Sequence, residues 1–148
     1  MSQRNRWFAA VLLVAGISVA GCTSGTASSD SPGEEPATVT AIDGSDQLHK
    51  IQLTEDAAAR IGLTTDTVRT LPSGKQLAVA LGAVLYDQDG ATWVYVRTAP
   101  LTFQRQQVTI SRVTGNVAVL HSGPTAGTAV ANVGVAELRG AEDGVPGE

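Results

Sequence analysis

This chain has little sulfur, few aromatics and few charges, and each shortage excludes something. One cysteine in 148 residues excludes an intramolecular disulfide. Met1 is the only methionine, so no thioether cluster for a soft metal can be built. The two histidines, His49 and His121, show no HxH or HxxH spacing and read as ordinary surface side chains. Charged residues are 16% and aromatics 4%, so a core must rest on Val, Leu, Ile and Ala. The formal net charge is -4 and no basic stripe occurs, which argues against nucleic acid as a partner. No G-x-S-x-G elbow, P-loop or dinucleotide fingerprint is present, and the chain reads as a protein that catalyses nothing. Asp87-Gln88-Asp89-Gly90 resembles a calcium loop only in part. It lacks the sixth-position glycine and the later glutamate, so it reads as a turn.

What is present begins with a leader. Arg4 and Arg6 precede an apolar run from Trp7 to Ala20, the length of a signal-peptide hydrophobic region and short of the roughly 20 residues a membrane span needs. Val19, Ala20, Gly21 and Cys22 follow, and this run looks like a bacterial lipobox, with cleavage before Cys22 and lipidation of that residue. Residues 1–21 are then the signal peptide. Taking Arg4 and Arg6 from the 10 basic residues leaves 8 against 14 acidic, a net charge of about -6. Such a surface is not drawn to anionic head groups, so attachment to the extracytoplasmic face of the cell membrane rests on the acyl chains. The covalent lipid on Cys22 is the one attached group expected; no cofactor is. Residues 22–37 are rich in Ser, Thr, Gly, Pro and acid, the composition of a flexible tether.

The sixteen glycines and six prolines favour a turn-rich β protein. Leu48 to Leu53 reads as a strand. Thr54 is placed as a helix N-cap, Glu55 and Asp56 suit the first turn, and Gly62 suits the residue after the helix end. Thr64 to Leu71 and Gln76 to Leu81 read as further strands. At the centre, Ala83–Tyr86 and Thr92–Val96 flank the Asp87–Gly90 turn as a hairpin, with Trp93, Tyr95 and Arg97 alternating against Thr92, Val94 and Val96. Leu101 to Ile110, Val117 to Leu120 and Thr128 to Val133 complete the strands, Ala136 to Leu138 adds a helical turn, and residues 140–148 read as a disordered tail. The expected fold is mainly β: a small antiparallel β-barrel or sandwich with one short helix, over residues 38–139.

Two segments carry a family resemblance. One is Ile51 to Thr65. The other runs from Ala83–Tyr86 through Trp93–Val96, Phe103-Gln104-Arg105, Val108–Ile110 and Ser122–Gly127 to Gly134–Leu138. Together they resemble the membrane-proximal region of periplasmic adaptor subunits, the membrane fusion proteins of RND-type efflux pumps. Full adaptors carry a lipoyl-like domain and a long coiled-coil hairpin between the two segments, whereas here only Asp66 to Gly82 separates them and no heptad run occurs. The resemblance implies an accessory, adaptor-like subunit of a membrane efflux system that docks on an inner-membrane transporter of RND or ABC type. Copper-exporting adaptors use methionine clusters that this chain cannot supply. Trp93 and Tyr95 either fill the core or anchor a partner contact, with Arg97, Arg105 and Arg112 as a rim, and a solvated position is expected for each arginine. The alternative is an envelope lipoprotein that binds a small molecule or metal for delivery or sensing.

Overall fold

A computed structural model describes residues 35–42, 44–72, 74 and 76–144. Val19, Ala20, Gly21, Cys22 and most of the tether lie outside the described residues. Among the described residues no helix is long and apolar enough to cross a membrane.

The first element among the described residues is a strand not expected from the sequence, β1 (Ala37–Ile42), which pairs antiparallel with β2 (Ser45–Leu53). The tether expected over residues 22–37 therefore overlaps the strand at Ala37. Helix α1 (Glu55–Arg60) starts as expected: the Ala57 N–H donates to Thr54 Oγ1 at 3.2 Å, with Glu55 and Asp56 in the first turn. It ends with Leu63 N–H donating to the Ala58 carbonyl and Gly62 N–H to the Ala59 carbonyl, around Gly62 at φ 62°. This paired closure needs a left-handed residue, and glycine adopts it without a Cβ penalty. Leu53 and Ala58 share one buried cluster, as a staple before the cap requires.

The expected strand from Thr64 to Leu71 is divided into β3 (Thr64–Thr67) and β4 (Arg69–Thr70) at Val68. Val68 donates to the Thr128 carbonyl and accepts from Gly127, both at 2.9 Å. Next come β5 (Leu77–Ala80), a 3₁₀ turn (Leu81–Ala83), β6 (Leu85–Tyr86), β7 (Thr92–Ala99), β8 (Thr102–Thr114), β9 (Val117–Ser122) and β10 (Ala129–Val133). The β6–β7 hairpin turns at Asp87–Gly90, with Gly90 N–H donating to the Asp87 carbonyl at 2.9 Å.

Neighbouring strands run β3-β10-β7-β8-β9-β5-β4. Because β3 and β4 are successive pieces of one stretch of chain, this order brings the sheet back on itself as a nearly closed antiparallel barrel. The inside is hydrocarbon: Val68, Val79, Val84, Val94, Val108, Ala118, Leu120 and Val130 are all buried. A second cluster lies on the other face of β7 and β8. There Tyr95 and Phe103 pack with Ile51 and Leu53 of β2, Ala58 of α1, Ala131 of β10, and Val135 and Leu138. Each buried large apolar side chain contributes about 1.5–3 kcal/mol.

Val135 and Leu138 belong to a second helix, α2 (Val135–Glu142), which extends the helical turn expected at Ala136–Leu138. Gly134, at φ 84°, sets its start. The expected disordered tail is corrected here: residues 140–142 are helical, and Glu142 is buried. Residues 145–148 lie outside the described residues.

Candidate functional site

Strand pairing puts Tyr95 opposite Arg105, Trp93 opposite Gln107 and Arg97 opposite Phe103. Residues directly opposite in a ladder share a face, so Trp93, Tyr95 and Arg105 all rise from the outer face of β7 and β8. Above them lies α2, and Glu142, one helical repeat beyond Val135 and Leu138, points down into the group.

Glu142 is the hub. Tyr95 Oη donates to its Oε2 at 2.7 Å. Arg105 Nε reaches Oε2 at 2.8 Å and Oε1 at 3.1 Å. His49 Nδ1 lies 3.6 Å from Oε1, an ion pair whenever the imidazole is protonated. Arg105 also approaches Asp87 of the hairpin turn at 3.5 Å, and its guanidinium sits 4.8 Å from the centre of the Trp93 ring, within cation–π range. Arg139 extends the network outward, 3.9 Å from Asp87 and 2.7 Å from Asp143.

Three elements distant in sequence thus share one buried charge system: β2, the β6–β8 region and α2. Burial first, and then the hydrogen bond and charge of Glu142, hold the Tyr95 phenol far above its ordinary range. Burial lowers the affinity of the Arg139 guanidinium for its proton. The carboxylates of Asp143 and Asp87 outweigh that and leave its pKa raised.

The expected contact residues divide. Tyr95 is fully buried, which settles it as a core residue. Trp93 is half-buried, and its Nε1 is buried without a hydrogen-bond partner among the described residues. Arg97 and Arg112 are exposed. Arg105 is corrected: a solvated position was expected, yet it is only 7% exposed, because a carboxylate from α2 stands over it. His121 is exposed, as a surface histidine should be. The sequence reading missed Asp87, Arg139 and Glu142. The available signal was the helical spacing of Val135, Leu138 and Glu142, obscured by treating Gly140 as a stop.

Both carboxylate oxygens of Glu142 are engaged, and Arg105 is held by Glu142, Asp87 and the Trp93 ring, so the arrangement acts as a clasp between α2 and the barrel. Among the described residues no group of three His, Cys, Asp or Glu side chains could hold a metal ion. Beside the clasp is an open hollow of about 420 Å³, lined by Leu48, Trp93, Arg105 and three glutamines, Gln104, Gln106 and Gln107. A second, of about 480 Å³, lies by the exposed Tyr86 along Thr92 and Val108–Ile110. No known protein family matches the chain, and no curated protein or solved structure matches it either.

Proposed function

We propose that the chain is a lipid-anchored accessory subunit of a membrane efflux system, acting on the extracytoplasmic face by docking against a transporter. The observation that supports docking over ligand carriage is the filled barrel. Val79, Val94, Val108, Leu120 and Val130 occupy the space in which a barrel of larger bore would hold a ligand. Recognition then belongs to the outside. There the half-buried Trp93 and the exposed Arg97 offer the side-chain types that dominate protein contacts. The anchor itself is carried by Cys22 and the small residues before it.

The experiment is crosslinked co-purification of the tagged full chain from its native membranes, with partners identified by mass spectrometry. One inner-membrane transporter in near-stoichiometric yield, lost in Trp93→Ala and Arg97→Glu, is the expected result. Recovery of no transporter sinks the efflux reading. Cys22→Ala separately tests the anchor, and a processed, membrane-bound form of that variant would refute it.

A further inference from the structure

We infer that β1 is a self-pairing edge through which two copies of this chain join their sheets about a two-fold axis. Among the described residues β1 has one strand neighbour, β2. The phase of that pairing decides which backbone groups remain. Thr54 N–H donates to the Pro36 carbonyl at 3.1 Å, continuing a register in which Thr38 faces Gln52 and Thr40 faces Lys50. Bonded and non-bonded pairs alternate in an antiparallel ladder. Thr38 and Thr40 therefore bond to β2, and Ala37, Val39 and Ala41 turn their N–H and C=O groups toward the open edge.

That outward set is symmetric about Val39. A second copy running antiparallel, with its Val39 opposite the first, places each Ala37 against the other copy's Ala41. Every outward group then meets a partner, giving about six backbone hydrogen bonds. Thr38 faces Thr40 in the non-bonded pairs, a favourable cross-strand match.

Three further features favour a second copy as the occupant. A strand that meets itself brings identical residues together, and like charges opposite one another destabilise; Ala37–Ile42 carries no charge. Within the strand itself there is no Lys or Pro to blunt the edge, and its one irregularity is at the end, between Ala41 and Ile42. Finally, Val39 is 38% exposed, a branched apolar side chain at the centre of the edge. Val39 lies opposite the fully buried Ile51, so covering it would extend the second cluster across the axis. Six residues of strand make a weak interface in dilute solution. Copies held on one membrane by the proposed anchor would meet at a much higher effective concentration.

The test uses the full chain reconstituted in phosphatidylcholine vesicles and exposed to a mild oxidant. Val39→Cys should yield a disulfide-linked dimer, because directly opposite Cα atoms in a bonded pair are about 5.5 Å apart, within disulfide range. Val113→Cys, a site more exposed at 47%, and the unsubstituted chain give the collisional baseline. Several-fold more dimer at position 39 is expected; equal yields at 39 and 113 overturn the inference. A second variant avoids thiols. Val39→Pro removes an outward N–H and no bond to β2, so the domain should melt nearly unchanged while amine-crosslinked dimer is lost. Dimer that persists in a folded Val39→Pro chain overturns the inference too. Neither readout involves a transporter, so this result and the co-purification can fail independently.

Discussion

The two faces of the β7–β8 ladder solve the same burial problem with different chemistry. On the inner face Val94 and Val108 join an apolar cluster with Val130 of β10. On the outer face of the same strands, Tyr95 and Arg105 are buried just as deeply but beneath a carboxylate. The inner face needs only apolar residues of about the right volume. The outer face needs particular partners, because an unpaired buried charge is heavily penalised. The barrel interior is therefore tolerant of exchange, and the clasp is not.

Glu142→Ala is expected to have the largest effect. It removes the nearest carboxylate from the buried Arg105 guanidinium, which keeps the more distant Asp87 at 3.5 Å, and it removes the acceptor of the Tyr95 hydroxyl. Unfolding in urea should show a loss of about 3–5 kcal/mol. A loss below 1 kcal/mol would mean that water reaches the clasp and the two faces do not differ. The sharper version replaces the whole group: Tyr95→Phe, Arg105→Met and Glu142→Leu together should come within about 1–2 kcal/mol of the parent, since well-packed hydrocarbon can substitute for a buried ion pair. Leu120→Ala probes the interior. It should destabilise by about 2–4 kcal/mol through transfer and cavity terms, with no pH dependence.

Tyr95→Phe alone should lose about 1–2 kcal/mol at neutral pH, the cost of an unmatched acceptor. Its pH signature distinguishes it. The folded phenol has a raised pKa, so its contribution to stability is fully present below pH 10 and is lost as pH rises above that point, where the unfolded chain ionises first. Stability should fall by up to about 1.4 kcal/mol per pH unit there, and Tyr95→Phe should lack that component. Equal alkaline slopes in parent and variant would count against a buried neutral phenol. Smallest of all, Arg97→Ala should change stability by less than about 0.5 kcal/mol, since Arg97 is exposed and makes no ion pair among the described residues. Any larger effect would place Arg97 in the fold rather than on a docking face.

Sequence by itself determined the elements whose signal is local. Thr54 and Gly62 bound α1 because capping uses neighbours three or four residues away. The period of two put Trp93 and Tyr95 on one face of β7, and Asp87–Gly90 marked the turn of its hairpin with β6. Mainly β architecture followed from the glycines, the β-branched runs and the turns between them.

Only the tertiary structure decided the rest. Ala37–Ile42 is a strand because β2 supplies the ladder, and its uncharged, Thr-rich sequence continues the tether composition without a break. Arg105 looks solvent-bound until Glu142 is folded over it from 37 residues away. Gly140 looks like a helix end until Leu138 and Glu142 are anchored on the outer face of the barrel. Capping and alternation are set by the nearest residues of the chain. The burial of a charge depends on a partner brought from far along it, and no short stretch of sequence carries that information.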